Sequence, residues 1–277
     1  MNTITETMEQ KKQQQAIEER MTLIEHTILV LSGKGGVGKS TVAVNCAAEI
    51  ARDGKRVGLL DVDIHGPSIP GMLGLDGAQI FINGTSMIPI EFTTNLTVMS
   101  IGFLLRTSGD AVIWRGPMKH GVIRQFIADV EWGKLDYLVV DCPPGTGDEP
   151  LSVAQMIGKR AGAVVVTTPQ RVSIEDVRKS IQFCRKLDLK VIGIIENMSG
   201  FVCPHCGETF HIFDQGGGKS LAVETDTQFL GSIPIEPEMV KACDQGEPFV
   251  LKNAESETAQ SFRNIVRNIM ASCEGVV

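Results

Sequence analysis

The sequence predicts an α/β fold in three layers, with a mostly parallel central sheet flanked by helices. Short apolar runs rich in β-branched residues, such as Thr27–Ser32 and Leu135–Val140, alternate with segments of helical pattern such as Ser40–Arg52. Strands separated by a helix run parallel, and because a parallel sheet is buried on both faces its strands are continuously apolar. The chain has 277 residues, which is enough for one such domain with a substantial core.

The predicted strands and helices alternate along most of the chain. In order they are a strand at Thr27–Ser32, a helix at Ser40–Arg52, strands at Val57–Leu60 and Leu96–Gly102, a helix at Met118–Val130, a strand at Leu135–Val140, a helix near Pro150–Ile157, a strand at Ala163–Thr167, a helix at Ser173–Leu187 and a strand at Lys190–Glu196. The stretch Gly74–Asn95 breaks the alternation and is predicted to be an inserted β-excursion. Ala259–Met270 has helical spacing and is expected to pack on the sheet; a membrane-targeting helix is the alternative, since Arg263 and Arg267 lie there.

Composition limits the classes of partner. The first 21 residues are polar and lack apolar periodicity, so we expect a flexible, mobile or loosely helical extension at 1–21 and a single domain at 22–277. The formal net charge of −7 disfavours non-specific nucleic-acid binding, which depends on positive charge. No run approaches the roughly 18 apolar residues of a membrane span, and the N-terminus lacks the apolar stretch of a signal peptide. We therefore expect a cytoplasmic protein without nucleic-acid or membrane partners.

Residues 33–40 carry the phosphate-loop (P-loop) motif G-x-x-x-x-G-K-[ST], as Gly33-Lys34-Gly35-Gly36-Val37-Gly38-Lys39-Ser40, between a predicted strand and a predicted helix. The glycines let the backbone direct its N–H groups around phosphate oxygens, and the helix N-terminus adds a favourable dipole. Lys39 is expected to reach the β- and γ-phosphates of ATP and to act in catalysis, and Ser40 to bind Mg²⁺. We assign nucleotide binding to these eight residues and to Thr41, which follows them.

Two of the predicted strands lead into aspartates. Leu60-Asp61-Val62-Asp63 ends the second strand, and Asp141 follows the strand at Leu135–Val140. In open α/β sheets ligands bind at the carboxyl ends of the strands, where the P-loop also lies. Asp141 has the Walker B pattern and is expected to hold Mg²⁺ through water, while the turn at 143–145 follows loss of the γ-phosphate. The sequence therefore predicts Mg²⁺-dependent ATP hydrolysis, slow and serving as a switch.

Cys203 and Cys206 form a Cys-x-x-Cys pair in a predicted loop after the strand that ends at Glu196. Two thiolates at this spacing can bind one metal centre, but tetrahedral Zn²⁺ or a [4Fe–4S] cluster needs four ligands. His205 or His211 would help to complete a zinc site within one chain, whereas a symmetric dimer would bring two pairs together. A thioredoxin-like redox pair is a third interpretation. The seven cysteines of the chain are otherwise scattered and do not form a disulfide framework.

Several longer motifs extend this pattern over about residues 22 to 250. They are GKGGVGKS (33–40), LLDVDIHGPSIPGMLG (59–74), WRGPM (114–118), LDYLVVDCPPGTGDEPL (135–151), TTPQ (167–170), SIEDVRK (173–179) and ENMSGFVCPHCG (196–207). On these motifs the chain resembles the Mrp/ApbC family of iron–sulfur cluster carrier ATPases, relatives of MinD and of nitrogenase iron protein. Lys34, the second lysine of GKGGVGKS, is typical of the deviant Walker A ATPases that resemble MinD and ParA.

The resemblance implies roles for particular residues. In this class Lys34 reaches across a dimer interface to the partner's nucleotide, Asp63 positions or activates the attacking water, and Asp61 supports the Mg²⁺ shell. Asn197 corresponds to the residue that reads the adenine, and Pro234 lies in the segment that lines the base. The catalytic residues would then be Lys34, Lys39 and Asp63.

The resemblance also implies a function. It implies a homodimer in which Cys203 and Cys206 of both subunits bridge a labile [4Fe–4S] cluster, with ATP binding or hydrolysis coupled to cluster loading or transfer. The partners would be cluster scaffold proteins and apo iron–sulfur proteins. Two alternatives keep the P-loop ATPase: a positioning ATPase of the MinD or ParA type acting on membrane or DNA, and an ATPase whose cysteine pair is a structural zinc knuckle.

Overall fold

The computed structural model describes residues 8–84, 86–104, 116–158 and 161–275. The strands are β1 (Ile24–Ser32), β2 (Val57–Asp61), β3 (Phe81–Asn83), β4 (Ser86–Ile88), β5 (Ile90–Thr93), β6 (Leu96–Ser100), β7 (Leu135–Asp141), β8 (Ala161–Thr167), β9 (Lys190–Glu196), β10 (Phe201–Val202), β11 (Thr209–Phe210) and β12 (Phe229–Ser232). The helices are α1 (Met8–Met21), α2 (Lys39–Arg52), α3 (Ile69–Met72), α4 (Gly116–Asp129), α5 (Asp148–Ile157), α6 (Arg171–Lys186), α7 (Gly217–Glu224), α8 (Pro237–Asp244), α9 (Phe249–Lys252) and α10 (Glu257–Cys273).

Within these residues eight strands form a central sheet in the order β12-β9-β8-β1-β7-β2-β6-β5. Neighbouring strands are parallel except at one edge, where β5 pairs antiparallel with β6. The hairpins β3–β4 and β10–β11 lie outside this sheet. The predicted α/β fold with a mostly parallel sheet is confirmed, and the predicted β-excursion at Gly74–Asn95 contains β3, β4 and β5.

Helices cover both faces of the sheet because alternate strand residues point to opposite sides. Leu59 of β2 joins a core cluster with residues of α2 and α10, including Phe262. Its neighbour Leu60 joins a separate cluster with residues of α4 and α5, including Phe126 and Val153. The interior strands β2, β7 and β8 are thus buried on both faces, which explains their continuous apolar runs in the sequence.

The C-terminal helix α10 packs on the sheet as expected. Its apolar residues Phe262, Ile265, Val266 and Ile269 are each at most 1% exposed. At its N-terminus the Ser256 side chain accepts a hydrogen bond from an N–H of the first turn, at 3.1 Å. The apolar face of α10 is therefore covered by the protein itself. None of the described helices is long and apolar enough to cross a bilayer.

The structure differs from the sequence-based expectation at β6. This strand ends at Ser100 rather than at Gly102, and a 3₁₀ turn over Ile101–Leu104 follows. The Gly102 N–H donates to the Ser100 side chain at 3.0 Å, which turns the chain away from the sheet. The first residues of the WRGPM motif, at 114–115, lie outside the described residues.

The N-terminal segment also differs from expectation. Residues 8–21 form α1, in which Ile17 is fully buried and Met21 is 6% exposed. Arg20 donates to the carbonyl of Val130, just after α4, at 2.7 Å. Ile17 and Met21 are spaced i, i+4 and therefore lie on the same face of the helix. Two apolar residues in an otherwise polar segment are too few to give a recognisable helical pattern in the sequence. Met8–Met21 is therefore a helix packed on the domain, where the sequence indicated a mobile or loosely helical segment, and residues 1–7 lie outside the described residues.

Candidate functional site

Three neighbouring strands bring polar side chains to one level at the carboxyl edge of the sheet. Asp61 at the end of β2 is the register partner of Asp141 on β7 and of Ser100 on β6. All three residues are fully buried. The Ser100 hydroxyl donates to Asp61 Oδ2 at 2.8 Å, and the Asp63 N–H donates to Asp61 Oδ1 at 3.1 Å. The parallel register therefore brings together the aspartates that the sequence predicted.

The P-loop at 33–40 connects β1 to α2 at the same edge. Gly36 and Gly38 have φ values of 79° and 80°, the left-handed region that favours glycine. A Cβ at Gly38 would also collide with the amide nitrogen of Asn197, so close approach and backbone conformation both require glycine there. At Gly33 a Cβ would lie 2.5 Å from the backbone of Asp176. These glycines let α6 and the segment after β9 pack directly against the loop.

Asp141 binds the side chains of both Lys39 and Ser40, at the end of the P-loop. Lys39 is 6% exposed, and its Nζ lies 2.5 Å from Asp141 Oδ1 and 4.0 Å from Asp63 Oδ2. The Ser40 hydroxyl donates to Asp141 Oδ2 at 2.5 Å. Burial opposes the charged form of Lys39, but the charge and hydrogen bond of Asp141, with Asp63, raise the pKa of Lys39 above its usual value.

The charged forms of these converging carboxylates are unfavourable, because the groups are buried and repel one another. Burial and then the charge of Asp141 raise the pKa of Asp61 to about 8, although the hydrogen bond from Ser100 opposes the shift. Burial also raises the pKa of Asp141 against the opposing effect of Lys39. A third carboxylate, Asp63, lies at the same edge and is 9% exposed. Buried oxygen ligands that repel one another are the donor set that suits a hard divalent cation such as Mg²⁺.

Of the two residues expected near the base, Asn197 contacts the P-loop and Pro234 lies next to the segment that follows Asn197. Asn197 is 6% exposed, and its side-chain amide donates to the carbonyl of Val37 at 2.9 Å. Its backbone N–H donates to Thr167 at the end of β8, at 2.7 Å. Pro234 lies next to this segment, because its neighbours Ile233 and Ile235 donate backbone hydrogen bonds to residues 196 and 200. Lys34, in the loop itself, is partly buried, and its carbonyl accepts from Ser32 at 2.9 Å.

The cysteine pair lies on the β10–β11 hairpin. Cys206 is exposed and Cys203 partly exposed. The Cys203 N–H donates to Glu208 and the Gly207 N–H donates to Cys203, both at 2.9 Å, which closes the turn. Hydrogen bonds from the backbone of Cys206 and His205 lower the pKa of Cys203 and so favour its thiolate, the form that binds metals.

The hairpin offers two thiolates from one chain. Within the described ranges, no group of three or more His, Cys, Asp or Glu side chains is arranged to hold a metal ion. In this arrangement His205 and His211 do not complete a ligand set with the cysteines. Cys142, beside Asp141, is fully buried, as a small hydrophobic residue would be, and burial raises its pKa.

Two buried polar residues at this edge, Ser100 and Glu196, are not among the predicted site residues. The sequence predicts Ser100 inside the strand Leu96–Gly102 and Glu196 as the last residue of the strand Lys190–Glu196. Glu196 is 1% exposed and accepts hydrogen bonds from Ser199, Gly216 and Gly218. The signal that both share is a polar residue closing a buried parallel strand, the position that faces ligands in α/β sheets.

Comparison with known proteins agrees with this geometry. The family model of the NUBPL iron-transfer P-loop NTPases, of the ParA group, matches residues 23–270. An iron–sulfur cluster carrier protein from Methanocaldococcus jannaschii is 49% identical over 275 residues, which is 99% of this chain and 94% of that protein. A homologue of the cytosolic Fe–S cluster assembly factor NUBP2 from Trichoplax adhaerens is 49% identical over 253 residues, 90% of this chain and 96% of that protein.

Solved structures show the same architecture. A nucleotide-binding protein from Archaeoglobus fulgidus, determined in complex with ADP, superposes with a TM-score of 0.78 at 40% identity, covering 90% of this chain and 96% of that one. The cell division protein MinD from Aquifex aeolicus has a TM-score of 0.63 at 23% identity, covering 89% and 97%, and shows the fold alone. The resemblance to iron–sulfur carrier ATPases is confirmed: the chain belongs to the family of NUBPL iron-transfer P-loop NTPases.

Proposed function

We propose that this protein is an ATP-dependent carrier that holds an iron–sulfur cluster between two subunits and passes it to apo-proteins. The observation that carries the proposal is the direct connection between its two sites. Asn197 contacts the P-loop, and six residues later the chain reaches Cys203 on an exposed hairpin. The names of the two relatives, a cluster carrier and a cluster assembly factor, support the same function.

The nucleotide end would bind ATP through groups that already converge. The N–H groups of the P-loop and the Lys39 ammonium would hold the β- and γ-phosphates, while Thr41 continues the loop into α2. Lys39 and Ser40, now bonded to Asp141, would exchange that carboxylate for phosphate oxygens and a metal ion. Ser40 and Asp141, supported by Asp61, would hold Mg²⁺, which neutralises phosphate charge when bound.

Hydrolysis would be slow and would serve as a switch. Asp63 would orient the water that attacks the γ-phosphorus, since its carboxylate lies at the rim and is 9% exposed. Lys34 of a second subunit would stabilise the charge that develops on the phosphate. Asn197 and Pro234 would read the adenine from the far side of the P-loop. ADP and phosphate would then leave, and the turn after Asp141 would relax.

The cysteine end would carry the cluster as cargo. Cys203 and Cys206 supply two thiolates, so two chains related by a two-fold axis supply the four that a [4Fe–4S] cluster needs. Exposure of the pair suits a cluster that is handed over to an apo-protein after delivery by a scaffold protein. A cytoplasmic location fits the Trichoplax adhaerens relative, which is named a cytosolic factor.

Metal analysis of anaerobically reconstituted protein tests this proposal. We expect about four iron and four sulfide per dimer with visible absorption, from the four-thiolate argument. Cys203→Ala with Cys206→Ala should abolish both, while isothermal titration still detects ATP binding. Cys243→Ala is the matched control, since this partly exposed cysteine lies on α8 and has no role in the proposal.

Two outcomes would overturn the assignment. A cluster that persists in the double variant would exclude these cysteines as ligands. Zinc at about one per dimer, without iron or sulfide, would identify the pair as a structural zinc knuckle.

A further inference from the structure

A buried carboxylate lies at the base of the segment that carries the cysteine pair. Residues 197–215 leave the sheet at the end of β9, form the β10–β11 hairpin and return to the domain where α7 begins. Glu196 immediately precedes this segment and is 1% exposed. Because it lies on the sheet and not on the hairpin, it belongs to the rigid part of the protein.

Glu196 is hydrogen-bonded to both ends of this cysteine segment. Its Oε1 accepts from the Ser199 hydroxyl at 2.6 Å and from the Gly216 N–H at 3.0 Å. Its Oε2 accepts from the Gly218 N–H, in the first turn of α7, at 2.6 Å. A carboxylate accepts at both oxygens and therefore matches these donors, and its charge is favoured at a helix N-terminus. The side chain thus joins the start of the segment to its end.

The next residue connects Glu196 to the nucleotide end. Asn197 donates from its side chain to the Val37 carbonyl of the P-loop at 2.9 Å. It is also fixed by a backbone hydrogen bond to Thr167, at 2.7 Å. Neighbouring residues of extended chain point to opposite sides, so Asn197 contacts the P-loop while Glu196 contacts α7. Because Asn197 and Glu196 are adjacent, a movement of the P-loop that displaces Asn197 also displaces Glu196 and the start of the cysteine segment.

The hairpin itself has few other attachments that would fix its position. Val202 and Phe210 are 49% and 46% exposed, so neither is packed into the core. Backbone hydrogen bonds from Ile235 to Gly200 and from Ser199 to Ile233 hold its first residues. The position of the thiols relative to the nucleotide site is therefore set at the base of the segment.

We propose that Glu196 is a positioning residue that ties the two ends of the cysteine segment together, so that the Cys203–Cys206 pair moves as one unit with the nucleotide-contacting Asn197. This inference rests on the proposed function, since it assigns the coupling between its nucleotide and cluster ends. Glu196 should have the same positioning role in the protein without a cluster, because its contacts do not involve the thiols.

Thiol reactivity in the reduced, cluster-free protein tests the role of Glu196. The alkylation rate of Cys203 and Cys206 by iodoacetamide is followed by peptide mass spectrometry, with and without Mg-ATP. In the wild type we expect the nucleotide to change this rate several-fold. In Glu196→Gln the amide presents an NH₂ group to an N–H or O–H donor, so the segment opens more often and alkylation of the partly exposed Cys203 rises about 10-fold. The rate should also lose its dependence on nucleotide, while ATP affinity stays near that of the wild type.

Two further variants make the comparison specific. Glu131→Gln removes the same charge from an exposed position outside the cysteine segment and should behave as the wild type. Ser199→Ala removes one donor to Glu196 and should give a smaller rise in the alkylation rate. If Glu196→Gln does not fold, Ser199→Ala carries the test alone: faster alkylation at unchanged ATP affinity supports the proposal, and the wild-type rate contradicts it.

The remaining outcomes separate this inference from the proposed function. A wild-type alkylation rate in folded Glu196→Gln, or a nucleotide-independent rate in the wild type, would refute the coupling even if the protein assembles a cluster. Failure of the wild type to assemble a cluster would refute the carrier function and leave the alkylation result standing.

Discussion

The P-loop with Asp61 and Asp141, here called the nucleotide end, and the hairpin with Cys203 and Cys206, the cysteine end, differ in burial and in what holds them in position. At the nucleotide end Asp61 and Asp141 are fully buried and Lys39 is 6% exposed, each held at a strand end or in the P-loop. At the cysteine end Cys206 is exposed, on a hairpin whose strands have two residues each. The first site is fixed by the register of a parallel sheet, whereas the second is fixed by a few contacts at its base.

The difference matches what the proposed function requires of each end. A phosphate site gains from donors that are in position before the ligand arrives, since no reorganisation is then needed. The sheet provides this at the cost of burying carboxylates that repel one another, which raises the pKa of Asp61 to about 8. A cargo site has to open, and parts of proteins that open have few buried contacts. The hairpin therefore contributes little to the stability of the fold.

Lys39→Ala should have the largest effect and should be confined to the nucleotide end. The change removes the ammonium expected to bind the phosphates and leaves Asp141 without its partner at 2.5 Å. We expect Mg-ATP affinity to fall at least about 100-fold, or roughly 3 kcal/mol, in isothermal titration. Thiol alkylation without nucleotide should not change.

Lys186→Ala is the matched control for this experiment. Lys186 is exposed at the end of α6, and its removal should leave ATP affinity unchanged. Binding by Lys39→Ala within about tenfold of the wild type, a loss of roughly 1.4 kcal/mol, would show that this lysine is not the phosphate ligand.

Asp61→Asn should change how the free energy of unfolding depends on pH, because it removes the unfavourable buried charge of Asp61. The pKa of Asp61 is about 8 in the folded protein against 3.8 ordinarily. Between these values the unfolded chain has lost the proton that the folded protein keeps, so the contribution of Asp61 to stability falls as pH rises. Asparagine has the same shape without the charge. In urea unfolding without ligands, the variant should gain roughly 1–3 kcal/mol over the wild type at pH 8 and progressively less at lower pH.

Asp136→Asn, at the other end of β7 from Asp141, is a control for which we expect the opposite dependence of stability on pH. The hydrogen bonds of Arg56 lower the pKa of Asp136, so its contribution to stability is present at neutral pH and is lost as the pH falls through that lowered value. This variant should lose stability at neutral pH and match the wild type in acid. If both variants showed the same pH dependence, the assigned cost of burying Asp61 would be wrong.

The sequence predicts the nucleotide end well because its information is local. The motif at 33–40 fixes the loop, and apolar runs ending in Asp61 and Asp141 predict adjacent strand ends that parallel pairing then aligns. The position of Ser100 is not predicted, because the sequence pattern places the end of its strand at Gly102, two residues beyond the observed end. No local pattern gives the end of a strand when a turn residue such as Gly102 has apolar neighbours.

The remaining features depend on contacts between distant residues. Glu196 binds Gly216 and Gly218, which lie 20 and 22 residues further along the chain, and no spacing rule links them. In α1, burial rests on two apolar side chains, Ile17 and Met21, whose partners lie on other elements. The Cys-x-x-Cys motif predicts two ligands from the sequence, and the other ligands depend on how two chains assemble; both the pair and its completion stay proposals.

Val202→Ser should have the smallest effect on stability and is the sharpest test of the contrast between the two ends. Val202 is 49% exposed, so its replacement should change the free energy of unfolding by no more than about 0.5 kcal/mol in urea titration. The same substitution at Val140, which is fully buried on β7, should cost roughly 3 kcal/mol, because it leaves a cavity and buries a hydroxyl. Amide hydrogen exchange should follow the same order, with fast exchange in the hairpin and strong protection in β7. Equal losses of stability in the two variants would mean that the hairpin is an integral part of the fold, and the thiols would then need a different explanation for their exposure.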